Sequence, residues 1–242
     1  MEDRGMGKKL NLGGGRLHCS EKEQRAAAQP AERAGSIDLA GVRRLMDGID
    51  GPRTLEIMRE FAVLVLLTEI EGELCFVFEK RAAGIRQPGD ICFPGGKVEP
   101  GESLAECALR ETEEEIGIRP SDIEVLGEFA VQYELTSIAM HSIVGFVDSG
   151  TLLGIKLNED EVAEAFTVPV RFFAETEPYL YDYDIVQEVG DFPYEEFGIN
   201  SDYRWRRGHK TIALYRYGDR VIWGLTAAII RRFVAEFQEP RT

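Results

Sequence analysis

GGKVEPGESLAECALRETEEEIGI, residues 95–118, sets seven glutamates into 24 residues behind a pair of glycines. Beyond Gly101 the pattern is helical: at about 100° per residue, Ala105, Ala108, Leu109, Thr112 and Ile116 share one stripe, the face expected to meet a core. Glu102 and Ser103 suit the first positions of such a helix, where a carboxylate and a hydroxyl meet free backbone N–H groups. Glu111, Glu114 and Glu115 stand at i, i+3 and i+4, so they are expected on one neighbouring face, with Glu113 pointing away. Like charges at these spacings destabilise a helix. A solvated face would tolerate them, whereas a divalent cation would turn the repulsion into attraction, and hard carboxylate oxygens favour Mg²⁺ or Mn²⁺ over Zn²⁺. Arg110 can orient a carboxylate through its planar fork, and Gly95 and Gly96 allow backbone to approach a metal or phosphate closely.

The rest of the chain bounds the possibilities. Its 242 residues, 44% of them apolar, suffice for a packed core. A formal net charge of −15 argues against electrostatic capture of nucleic acid, which needs a surplus of Lys and Arg. Bound metal or a local basic patch can still supply positive charge for a small anion. No apolar run approaches the roughly 20 residues that span a bilayer, and the N-terminus lacks an apolar signal core. Cys19, Cys75, Cys92 and Cys107 form no CxxC pair and read as reduced thiols in a cytoplasmic protein.

Residues 1–35 show no sustained apolar period and read as a mobile tail, and the GGG at 13–15 lacks the strand, Lys and Ser/Thr of a phosphate loop. From Ser36 a short amphipathic helix is expected, capped by Ser36 and stopped at Gly48. Residues 60–69 and 73–80 are β-rich and separated by Ile70–Gly72, a hairpin signal. Strands are also expected at 123–135, 140–148, 178–189 and 209–219, with a short strand and a Pro169 turn near 162–172. An amphipathic helix at 222–237 closes the chain. This order suits an α+β fold over 36–242, as one domain including the short N-terminal helix.

The spacing of the opening stretch carries a resemblance. Gly96, five residues, Glu102, seven residues, then Arg110, Glu111, Thr112, Glu113, Glu114, Glu115, Ile116, Gly117 and Ile118 matches every fixed position of the Nudix box, with Thr112 where an aliphatic residue is usual. The chain resembles a Nudix hydrolase over about 58–237. The resemblance implies an α/β/α sandwich around a mixed β-sheet and metal-assisted attack of water on a nucleoside diphosphate linked to another group. It also implies that Glu111, Glu114 and Glu115 hold Mg²⁺ or Mn²⁺, with the Gly96 carbonyl as a possible further ligand. Arg110 would orient Glu111, with Glu102 behind it. The general base would be a box glutamate or a downstream acid, for which Glu161 and Glu164 stand as candidates beside their reading as an exposed acidic loop.

Outside the box, RAAGIRQPGDICFPGG (81–96) is similar to the segment that precedes the box in coenzyme A diphosphatases. It places Arg81, Ile85, Arg86, Gly89, Ile91, Phe93, Pro94 and the glycine pair in that pattern. It is one residue shorter between Arg86 and Gly89, and has Asp90 where Glu or Gln is usual. EVAEAFTVPVRFF and VIWGLTAAII resemble two later segments of the same subgroup. Coenzyme A or its acyl derivatives would then be the small-molecule substrate, with Arg81 and Arg86 as diphosphate or nucleotide contacts. In the basic run DYRWRRGHK (202–210), Arg204 and Arg206 could grip a 3′-phosphate, or simply balance an acidic surface. Two rivals stand: a pyrophosphatase for ADP-ribose, dinucleotides or nucleoside triphosphates, and a Nudix-like module that binds nucleotides without cleaving them. Homodimers are common in the family. His141 reads as structural.

Overall fold

The computed structural model describes residues 39–47, 59–134 and 137–238. The chain divides into two units, Met1–Arg53 and Thr54–Thr242. Of the first, helix α1 (Leu39–Asp47) is described. The expected tail over 1–35, the Ser36 cap and the Gly48 stop lie outside the described residues.

The second unit begins with β1 (Arg59–Ile70) and β2 (Glu73–Arg81). They form the hairpin expected from the sequence, turning at Glu71 and Gly72, both with positive φ, which matches the right-handed twist of the strands. Next come β3 (Ile91–Cys92), β4 (Gly95–Lys97), α2 (Leu104–Ile116), β5 (Ile123–Glu134), β6 (Ile138–Val147) and α3 (Ser149–Leu152). Then follow β7 (Val162–Pro169), α4 (Val170–Glu175), β8 (Tyr179–Ile185), β9 (Gly208–Tyr217), β10 (Arg220–Trp223) and α5 (Gly224–Gln238). The main sheet runs β3-β2-β1-β6-β5, with β4 also paired to β1 and β7 to β2. Strands β1 and β6 are parallel and the other pairs antiparallel, so the sheet is mixed.

Strand periodicity sorts the core into two layers. Ala62, Leu64, Leu66 and Val77 face Cys107, Ala108 and Ile116 of α2. Val65, Leu67, Phe76 and Phe78 face Phe173 of α4 and Ala227, Ile230 and Phe233 of α5. The result is the expected α/β/α sandwich. A second sheet, β10-β9-β8, joins the α5 layer through Ala213, Tyr215 and Ile222.

Two local expectations need correction. Ile222 and Trp223 belong to β10, not to the closing helix. A turn at Gly218 pairs Arg220 with Tyr217, and Gly224, at φ 63°, redirects the chain into α5. Pro169 ends β7 and serves directly as the N-cap of α4, where its missing N–H and fixed φ are tolerated.

Candidate active site

Helix α2 starts in a capping box. The Ser103 hydroxyl accepts the Glu106 amide, and the Glu106 carboxylate accepts the Ser103 amide. It stops at Gly117, whose φ of 74° and N–H to the Glu113 carbonyl form a left-handed cap. Thr112, the polar residue on the buried stripe, donates its hydroxyl to the Ala108 carbonyl at 2.6 Å, which explains how it is accommodated there.

The three glutamates expected on one face are spread across its width. Glu115 is 4% exposed and Glu111 is partly buried, while the Glu114 side chain is 56% exposed. The buried face of α2 extends further round than the apolar stripe indicates, taking in Cys107 and Glu115.

Arg110 organises the solvent side of this cluster. Its guanidinium grips Glu102 through two bonds (Nε–Oε1 2.8 Å, Nη2–Oε2 3.1 Å) and donates to Glu111 Oε1 at 2.8 Å and Glu114 Oε2 at 3.3 Å. The Glu102 carboxylate also accepts the Glu99 amide at 3.0 Å. Hydrogen bonds from Arg110 hold the pKa of the Glu102 carboxyl well below the usual carboxylate range, down to about 2.

The glycine pair closes the other side. Strand β4 runs antiparallel to β1, with Ala62 opposite Gly96 and Val63 opposite Gly95. The Gly95 amide donates to Glu115 Oε2 at 2.8 Å. A Cβ at Gly96 would lie 2.3 Å from the Glu111 carboxylate, so glycine there clears the space that this carboxylate fills. Burial raises the proton affinity of Glu111. The Glu115 carboxyl is likewise raised, first by burial and then by Glu79, a neighbouring carboxyl on β2 that is itself raised by burial.

Glu111, Glu115 and the glycine pair border a cleft of about 560 Å³, whose lining does not include Arg110, Glu114 or Glu79. Its polar end holds Gly95, Gly96, Glu111, Glu115, Glu161, Arg81 and Arg86, and its apolar walls include Phe61, Val63, Met140, Leu225 and Ile229. Arg81 Nε donates to the Arg86 carbonyl at 2.9 Å, folding the preceding loop back on itself. Glu161 is held by its backbone: its carbonyl accepts the Ala82 amide, its amide donates to Asn158, and the Asn158 amide donates to the carbonyl of Glu115. Glu164, the other downstream acid, is engaged by Arg220 and does not border the cleft.

Arg204 and Arg206 are not brought to these walls. They border a second concavity with Val186, Gln187, Trp205 and Arg207. His141 is bonded to Glu128 at 2.8 Å and is absent from the cleft lining. Sequence reasoning missed Thr226, Leu225 and Ile229 as cleft residues and missed Glu79 altogether.

Among the described residues no three of His, Cys, Asp and Glu stand in the arrangement that holds an ion. Instead Glu111 is occupied by Arg110 and Glu115 by Gly95 N–H. The donor set nevertheless fits a hard divalent cation. It consists of carboxylate oxygens whose burial opposes their own charge, beside a backbone cleared by glycine, and one buried carboxylate oxygen, Glu79 Oε2, has no partner.

Comparison with known proteins agrees with this geometry. Nudix hydrolase 3 of Caenorhabditis elegans is 37% identical over 112 residues, 45% of this chain and 47% of that protein. The peroxisomal coenzyme A diphosphatase NUDT7 of Mus musculus is 38% identical over 136 residues, 55% of this chain and 56% of that protein. The mitochondrial coenzyme A diphosphatase NUDT8 of Homo sapiens is 28% identical over 184 residues, 75% of this chain and 70% of that protein. The chain thus spans about half the length of the worm and mouse relatives. Residues 58–187, which carry the glycine pair, α2 and the Glu161 loop, match the family described as NUDIX domain, and the chain belongs to the Nudix hydrolase family.

Proposed function

We propose that the chain hydrolyses the diphosphate of coenzyme A or its acyl derivatives, giving 3′,5′-ADP and (acyl-)4′-phosphopantetheine. The observation that carries this reading is the shared cleft: Arg81 and Arg86, from the segment that resembles coenzyme A diphosphatases, border the same space as Gly96, Glu111, Glu115 and Glu161. Two relatives named coenzyme A diphosphatases support it.

Glu111, Glu114 and Glu115 would hold Mg²⁺ or Mn²⁺, with the Gly96 carbonyl as a further donor. A bound cation there neutralises diphosphate charge, stabilises the departing phosphate and acidifies water. Arg110 keeps Glu111 oriented, and Glu102 fixes Arg110 in turn. Arg81 and Arg86 bind the non-bridging oxygens of the diphosphate as charge-assisted donors. Glu161 takes the proton of the attacking water as its oxygen bonds to phosphorus and the bridging P–O bond breaks. Arg204 and Arg206 are assigned to the distal 3′-phosphate. The free thiols of Cys75, Cys92 and Cys107 support a reducing, cytoplasmic setting, whereas the two coenzyme A diphosphatase relatives are named as peroxisomal and mitochondrial. Exposed Val125, Leu126 and Val131 on edge strand β5 support a homodimer. No helix among the described residues is long and apolar enough to cross a membrane.

The test is hydrolysis of coenzyme A, acetyl-coenzyme A, ADP-ribose, NADH and 8-oxo-dGTP with Mg²⁺ or Mn²⁺, alongside Glu115→Gln. Release of 3′,5′-ADP by the wild type alone is the expected result. Rapid cleavage of ADP-ribose with coenzyme A left intact would move the substrate assignment. Binding without cleavage of any of them would make the chain a nucleotide-sensing module.

A further inference from the structure

One buried carboxylate among the described residues has no role in the scheme above. Glu79 lies on β2, where the two-residue strand period turns it to the same side as Val77, the side covered by α2. It is 1% exposed. Its Oε1 accepts only the weak thiol donor of Cys92, at 3.3 Å, and its Oε2 is buried without a hydrogen-bond partner. No Arg or Lys forms an ion pair with it among the described residues, and Arg81 acts on it only from longer range. The carboxyl of Glu115 lies within hydrogen-bonding reach, so a single shared proton would satisfy the pair; with both ionised, as a cation site requires, they are two acceptors and Glu79 is left unrelieved.

A buried charge left in this state is strongly unfavourable, and a Leu or Val would serve a strand interior far better. Position supplies a reason. Cys92 and Glu115 both border the polar end of the cleft, so Glu79 stands directly behind that wall, with its open oxygen in the layer from which Glu115 projects.

We propose that Glu79 is a positioning residue of the cation site that acts through Glu115: lying behind it, Glu79 adds negative charge that a divalent cation in front of Glu115 offsets. This rests on the metal-dependent reading given above. A carboxylate supporting a ligand from behind commonly changes metal affinity by about 10- to 100-fold.

The experiment is Mn²⁺ titration of the full chain, followed by the electron paramagnetic resonance signal of free Mn²⁺, for the wild type, Glu79→Gln and Glu115→Gln. Thermal unfolding of each is measured in chelator. Glu79→Gln is expected to bind Mn²⁺ at least about tenfold more weakly while its metal-free unfolding midpoint is unchanged or higher. A merely structural Glu79 would give the opposite pattern, a lower midpoint with Mn²⁺ affinity within twofold of wild type, and that result overturns the inference. Glu79→Met, which fills similar volume without a donor or acceptor of the same kind, provides the same comparison if the amide is poorly tolerated. Absence of Mn²⁺ binding by the wild type would instead overturn the metal-dependent reading itself, and this inference with it.

Discussion

Glu115 reaches back across 20 residues of chain to accept the Gly95 amide at 2.8 Å, joining the C-terminal turn of α2 to the strand that floors the cleft. That bond fixes one carboxylate oxygen of a residue that borders the cleft. Glu115→Gln keeps the shape and an acceptor for Gly95, but removes the charge. Loss of several kcal/mol of charge stabilisation corresponds to a fall in kcat of about 10²-fold or more. Steady-state kinetics at saturating Mg²⁺, with circular dichroism as a control for folding, checks this.

The two neighbouring glycines are expected to fail differently. A Cβ at Gly95 would lie 2.3 Å from the Ala62 carbonyl oxygen and 2.5 Å from Val63 Cα, both backbone atoms in the central strand that cannot step aside. Gly95→Ala should therefore destabilise the fold by roughly 1–3 kcal/mol or more, as overpacking does. At Gly96 the obstacle is the Glu111 carboxylate, the far end of a flexible side chain, which can swing away. Gly96→Ala should melt close to wild type and lose most of its activity. Thermal denaturation and turnover measured together separate the two.

That contrast marks what could be read from sequence. The β1–β2 hairpin was legible because two β-rich runs and the turn between them agree, and α2 because its cap, stripe and stop agree. Strands β3 and β4 were not, since two or three residues carry no period and their positions come from pairing with β2 and β1. Glu111 and Arg110 were found through their spacing. Burial of Glu115 and the placement of Glu79 behind it depend on the sheet beneath α2, and local pattern does not report that. The α5 contribution to the cleft was likewise hidden, because Leu225, Thr226 and Ile229 look like ordinary helix residues.

Stability of the metal-free protein should fall as pH rises. Burial raises the proton affinities of Glu111, Glu115 and Glu79 above the ordinary value of 4.5. A raised carboxyl contributes stability that is fully present below its unfolded value and is lost as pH climbs through its folded value. The loss therefore begins above about pH 4.5 and continues to the raised folded values. Glu102 acts in the opposite sense. Its lowered value contributes stability above the ordinary range, lost as pH falls toward 2. Urea denaturation in chelator across this range should show the decline on the alkaline side. Added Mn²⁺ should flatten it and release protons into a weakly buffered solution.

Arg204 and Arg206 offer a test of the 3′-phosphate assignment. Neither they nor Arg207 has a carboxylate ion-pair partner among the described residues, despite 43 acidic residues in the chain. A path of contacts leads from this run toward the cleft: Lys210, at the start of β9, pairs with Glu134, and Glu134 lies opposite Ile138, which borders the cleft. A phosphate monoester in the second concavity would meet the guanidinium groups of Arg204 and Arg206, with Trp205 bordering the same space. Losing a charged hydrogen bond worth about 1.5–3 kcal/mol weakens binding by roughly tenfold or more. The double variant Arg204→Ala/Arg206→Ala should therefore raise KM for coenzyme A by about that factor, with kcat nearly unchanged. Dephospho-coenzyme A, which lacks the 3′-phosphate, should be cleaved by wild type and variant with the same KM. An equal rise in KM for both substrates would show instead that these arginines only hold their loop.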